Sequence, residues 1–114
     1  MTPYVHSWLR AFVFTQIVEV PIYMQVLPGS RWKAATIGFG ASAITHPFVW
    51  FVFPRLLPHR FVLMATAAEL FAFVVEALYL CIWLKPWKAL AASFVANSAS
   101  LGLGLLSRRL FDVP

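Results

Sequence analysis

Residues 61–84 read FVLMATAAELFAFVVEALYLCIWL, and every position is apolar, small or aromatic except Thr66, Glu69 and Glu76. At 1.5 Å of rise per residue, a helix of this length covers the ~30 Å hydrocarbon core of a bilayer. Three similar stretches occupy residues 5–27, 34–53 and 89–106. Short connectors rich in Pro, Gly and basic residues join the four: Pro28-Gly29-Ser30-Arg31-Trp32-Lys33, Pro54-Arg55-Leu56-Leu57-Pro58-His59-Arg60 and Lys85-Pro86-Trp87-Lys88. Connectors this short make sequential helices antiparallel neighbours. The segments are too long and too evenly apolar for barrel strands. The expected architecture is all-α: a four-helix antiparallel transmembrane bundle, one domain over residues 1–114, with both termini on one side.

Composition agrees. The chain has 114 residues, 61% hydrophobic and 11% charged, against about 45–50% and about 25% in soluble domains. A domain this small cannot hide so much apolar surface behind a polar shell, which argues against a soluble enzyme or a disordered protein. The net charge of +5 lies in residues outside or at the ends of the spans: Arg10, Arg31, Lys33, Arg55, Arg60, Lys85, Lys88, Arg108 and Arg109. Trp8, Trp32, Trp83 and Trp87 mark the same boundaries, as amphipathic rings do at headgroup level. The expected partners are membrane lipids, anionic ones included. No segment offers the basic face that a nucleic-acid partner requires.

Five basic residues fall on the side of the termini (Arg10, Arg55, Arg60, Arg108, Arg109) and four on the other (Arg31, Lys33, Lys85, Lys88). The positive-inside rule then leans towards cytoplasmic termini. The first span is too long for a cleavable signal peptide and lacks a basic n-region and a small-x-small cleavage site. The single cysteine, Cys81, cannot form an internal disulfide.

The acids behave oppositely. Glu19, Glu69 and Glu76 lie inside spans, and only Asp112 lies in the tail. A carboxylate at the centre of a membrane helix costs about 2.5–3.5 kcal/mol on insertion scales. Glu19 falls near the middle of the first span, Thr45 and His46 near that of the second, and Asn97 near that of the fourth. Glu69 and Glu76 straddle the middle of the third, two turns or roughly 10 Å apart on one face. Stripes at helical spacing contain them: Thr15, Gln16, Glu19, Tyr23; Gly38, Ser42, Thr45/His46; Thr66, Glu69, Glu76; Ser93, Asn97, Ser100, Gly104. Lipid outside should turn such stripes inward. The candidate substrate- or ion-binding residues are therefore Glu19, Thr45, His46, Glu69, Glu76, Asn97 and Ser100. Thr15, Ser42, Thr66 and Ser93 read instead as interhelical hydrogen-bonding glue.

Pro21 and Pro47 are expected to kink or break their helices, removing the donors for the carbonyls of Ile17 and Ala43. Broken helices at the depth of an ionisable residue are a device of transporters. Ala92, Ala96, Ser100 and Gly104, with Ser98 and Gly102, form small-residue ridges suited to close packing within the bundle or between copies. Four helices leave little room for a sealed pathway, so a homo-oligomer is expected.

A cluster of Glu19, Glu69 and Glu76 beside His46 would titrate as one unit, which suits proton- or cation-coupled transport. In chain length, four helices, the early membrane glutamate Glu19 and nearly balanced loop charge, the architecture resembles the small multidrug transporters. That family's sequence motifs are absent, and its pattern does not call for His46, Glu69 or Glu76. A Glu/His metal site for iron, manganese or zinc is a second reading, although no Glu-x-x-His or His-x-x-x-His spacing occurs. Ser98 and Ser100 stand in no nucleophile motif. A third reading is an accessory subunit of a larger membrane complex, its many aromatics lodged against other helices. No cofactor is expected: there is no phosphate-cradling Gly loop, no Cys-x-x-Cys and no histidine pair placed for haem.

Overall fold

The computed structural model describes residues 2–111, apart from the side chains at 108 and 111. Asp112 and the Arg108 side chain, both used in the charge reading above, lie outside the described residues. Five helices follow in order: α1 (Pro3–Met24), α2 (Arg31–Phe51), the single-turn α3 (Phe53–Leu56), α4 (Phe61–Leu80) and α5 (Pro86–Phe111). No strand occurs among the described residues.

The helices begin where their caps are, ahead of the apolar runs. Thr2 accepts a hydrogen bond from the Val5 N–H at 3.2 Å and Pro3 takes the first helical position, where its missing N–H is no loss. Ser30 does the same for Lys33 at 3.2 Å, after Gly29 turns the chain at φ 92°, a left-handed conformation that glycine adopts freely. Pro86 opens α5 similarly. The apolar run also outlasts α1 and α4. Val26, Leu27, Trp83 and Leu84 instead form tight turns, with the Leu27 N–H bonded to the Tyr23 carbonyl and the Leu84 N–H to that of Leu80. Leu27 and Leu84 are buried in these turns and plug that end of the bundle.

One other expectation is corrected: the first residues of the connector 54–60 belong to α3, with Val52 capping both α2 and α3. Both helices stay continuous through their prolines, α1 through Pro21 to Met24 and α2 through Pro47 to Phe51, since each proline removes only the one N–H that would bond the carbonyl four residues back.

α1 packs beside α2 and α5, and α4 packs beside the same two, so that α1 faces α4, and α2 faces α5, across the diagonals. Tyr4 at the start of α1 contacts Trp50 and Phe51 at the end of α2, which fixes that pair as antiparallel. The interior is built from small residues, namely Ala34, Ala41, Ala68, Ala72, Ala77, Ala89, Ala92 and Ala96, all buried. Large apolar side chains such as Ile17, Leu70, Leu78 and Phe94 point outward. Membrane helices associate this way, since lipid tails leave no hydrophobic drive and close backbone contact supplies the attraction. Of the two small-residue ridges of α5, Ala92 and Ala96 pack within the bundle, whereas Ser98 and Gly102 face outward.

Three helical segments are long and apolar enough to cross a membrane: Arg31–Leu56, Phe61–Leu80 and Pro86–Ser107. α1 has the length but is less apolar, because Arg10, Gln16 and Glu19 lie along it. The long axis of the structure is 41 Å, about a bilayer with its interfaces.

Candidate functional site

The two ends of the bundle differ. At the end formed by residues 25–30 and 81–85, Tyr23, Leu27, Ile37, Leu80 and Leu84 close the interior around the alanine core. Towards the end carrying the termini the helices part around a cavity of about 550 Å³. Its mouth is framed by Tyr4, Arg10, Phe61, Leu105 and Ser107, and its floor is formed by Glu19, Ser42, Thr45, Glu76 and Asn97. The walls between are largely apolar, with Phe14, Val49, Trp50, Met64 and Leu101 among them.

All seven residues singled out from the sequence, Glu19, Thr45, His46, Glu69, Glu76, Asn97 and Ser100, line this one cavity. Of the glue residues, Thr15 and Ser42 also line it. Ser93 lies buried beneath it, while Thr66 is exposed on the outer face of α4. Gln16 turns away and donates from Nε2 to the Phe39 carbonyl at 3.2 Å.

The two buried carboxylates at the floor are held very differently. Glu76 is the centre of a knot: Tyr23 donates to Oε1 at 2.5 Å, Thr45 to Oε2 at 2.8 Å and Asn97 Nδ2 to Oε1 at 3.4 Å. Asn97 is fixed in turn by donating to the Ser93 carbonyl at 2.9 Å, and Ser93 Oγ donates to the Phe73 carbonyl at 2.8 Å. Four helices thus meet at one carboxyl group. Glu19, as deeply buried, receives a single bond, from Ser100 Oγ to Oε2 at 2.6 Å, and its Oε1 has no partner. Glu69, two turns up α4 from Glu76, is half-buried on the cavity wall.

On α2, His46 sits one turn nearer the mouth than Ser42. Its Nε2 lies 3.3 Å from Thr15 Oγ1, and its ring is wedged edge-on to Phe12 and stacked near Trp50. Because α1 and α2 run antiparallel, the Thr15–His46 contact sets Glu19 and Ser42 at a common depth, about 6 Å further in. Ser42 Oγ and His46 Nδ1 are buried without a hydrogen-bond partner. Buried polar atoms are nearly always paired; Trp8 Nε1 and Gln16 Oε1 are also unpaired on residues outside the cavity, and what marks this site is that the other three such atoms belong to residues of one cavity.

Among the described residues, no three His, Cys, Asp or Glu side chains are grouped so that they could hold a metal ion. Tyr23 and Ser42 are the contributors that the candidate residues left out: Tyr23 holds Glu76, and Ser42, expected to bond between helices, lines the cavity with its Oγ unbonded. The signal for Tyr23 is its place one turn after Glu19 on the same stripe, and for Ser42 its place one turn before His46. Comparison with known protein families, with curated proteins and with solved structures finds no match to this chain.

Proposed function

We propose that this protein is a small multi-pass membrane transporter that exchanges a proton for a cationic solute at Glu19. The observation that carries the reading is Glu19 itself: a carboxyl 1% exposed, at the floor of a cavity open at one end, beside the Glu76 carboxyl and with an oxygen that no donor reaches while both groups are ionised. An unpaired carboxylate in a low-dielectric site is costly, and the cost is relieved by either a proton or a cation. A group that must hold one or the other couples the two. Glu76, held by donors from Tyr23, Thr45 and Asn97, serves as the fixed anchor of the floor, and His46, Glu69 and Ser100 complete the site.

In this reading α1 is a fourth span, its charged residues turned to the cavity and the interface. The termini face the cytoplasm, following the basic residues on their side. The closed end opens in a second conformation, and copies associate so that eight helices enclose the pathway.

The test uses protein reconstituted in liposomes that contain a pH-sensitive dye. Benzamidinium or phenyltrimethylammonium, charged and poorly membrane-permeant, is added outside. Entry of cation in exchange for protons raises the internal pH above the empty-liposome baseline, and Glu19→Gln abolishes the rise. No rise with either cation, or an equal rise in Glu19→Gln, overturns the proposal.

A further inference from the structure

We infer that the solute is an organic cation that carries N–H donors on an apolar body, an amidinium or protonated amine, and that Glu19, Ser42 and His46 recognise it through those donors. This inference rests on the transport reading and specifies its ligand.

The unpaired atoms set the requirement. Glu19 Oε1, Ser42 Oγ and His46 Nδ1 belong to residues that line the cavity and are themselves buried without hydrogen-bond partners, the residues being 1%, 1% and 9% exposed, so a ligand reaches them as these side chains turn towards it. A carboxylate oxygen only accepts. When His46 donates from Nε2–H to Thr15, Nδ1 is an acceptor as well. The Ser42 hydroxyl accepts on a lone pair. A ligand that satisfies all three brings donors, and one that neutralises Glu19 brings positive charge. A quaternary ammonium supplies the charge but no donor, and would leave Ser42 and His46 as orphaned as before. A site built to hydrogen-bond a substrate N–H discriminates strongly against an analogue without one, because its own buried groups then stay unpaired.

The placement of the three residues along their helices suits a head group with more than one N–H. Glu19 and Ser42 approach it from α1 and α2 at one depth, and His46 from about 6 Å nearer the mouth. The body of the ligand points towards the opening, where Trp50, Met64 and Leu101 supply apolar contact. The volume of about 550 Å³ lies within the usual range for small-molecule pockets of about 300–1,000 Å³.

Binding of the matched pair benzamidinium and phenyltrimethylammonium to the full chain in detergent, by calorimetry, tests the inference. The expected result is at least about tenfold tighter binding of benzamidinium. Ser42→Ala is the diagnostic variant, because Ser42 Oγ makes no hydrogen bond within the protein and its loss leaves the fold intact. This variant should reduce the preference to under about threefold while the melting temperature holds or rises. Equal or tighter binding of phenyltrimethylammonium overturns donor recognition but leaves cation transport standing. An unchanged preference in Ser42→Ala overturns the assignment of that residue. Failure to bind either cation, together with no flux in liposomes, sinks the inference and the transport reading together.

Discussion

Tyr23 Oη donates to Glu76 Oε1 at 2.5 Å, joining α1 to α4, two helices that meet only across the diagonal of the bundle. The bond is made over a floor where a second carboxyl, Glu19, has one donor and a free oxygen. Two glutamates at similar burial therefore have opposite roles. Glu76 takes three donors and holds helices together, and Glu19 beside it takes one.

Removing the diagonal bond should weaken the bundle. Tyr23→Phe deletes the donor and leaves Glu76 short of one buried partner, at a cost of about 1–3 kcal/mol. Thr45→Val should cost a similar amount, and the double variant should show coupling beyond about 0.5 kcal/mol because both donors serve one carboxyl group. Unfolding in detergent, followed by tryptophan fluorescence, measures all three. Full additivity would show that the knot around Glu76 is not one unit.

The closed end makes its own prediction. A Cβ at Gly40 would stand 2.5 Å from Tyr79 Oη, whose hydroxyl donates to the Ile37 carbonyl at 2.9 Å. Gly40→Ala must displace that hydroxyl and should destabilise the protein by about 1–3 kcal/mol. Adding Tyr79→Phe removes the clashing oxygen and should recover part of the loss, since the bond is already broken. A double variant less stable than Gly40→Ala alone would contradict the close α2–α4 approach at this point.

Much of this arrangement was legible in residues 61–84 and their flanking basic connectors, because length and hydropathy alone dictate membrane-length helices. The depth of Glu19, His46 and Asn97 could be counted along the chain, and they do share one cavity. What periodicity could not supply is rotation. Thr66 precedes Glu69 by three residues, and at 3.6 residues per turn that step leaves it about 60° off the line of Glu69 and Glu76. It is exposed, while Glu76 is buried. Ser42 has the same character in the sequence as Thr66, and only its burial inside the bundle distinguishes them. Nor could a hydropathy run announce that Leu27 and Leu84 leave their helices to plug one end.

Ser100 is the one internal donor to Glu19. Ser100→Ala should leave the fold intact, because Ser100 also lies on the cavity wall and is only half-buried. It should lower cation-driven proton exchange in liposomes by about ten- to a hundredfold, the effect expected for losing a hydrogen bond to a charged group at about 1.5–3 kcal/mol. Glu19→Gln should abolish exchange outright. A Ser100→Ala variant as active as the parent would mean that Glu19 works without being oriented.

The one-ended cavity predicts one-sided access. Ser107 frames its mouth, while Ala92 is buried in the core that closes the other end. In a Cys81→Ser background, Ser107→Cys in detergent should react with a polar maleimide, and Ala92→Cys should stay protected by at least about tenfold in rate. Lys85→Cys, exposed on the connector of the closed end, is the positive control for reagent access there. In sealed cells the same three variants read orientation. If the termini are cytoplasmic, as their basic residues favour, an impermeant maleimide labels Lys85→Cys from outside and leaves Ser107→Cys untouched until the membrane is opened. The reverse pattern would invert the topology without disturbing the site, because the cavity would then open outward. Labelling of Ala92→Cys at the rate of Ser107→Cys would be more damaging: it would mean that the alanine-lined end is not closed, and that Glu19 lies in a through-going space instead of at the floor of a cup.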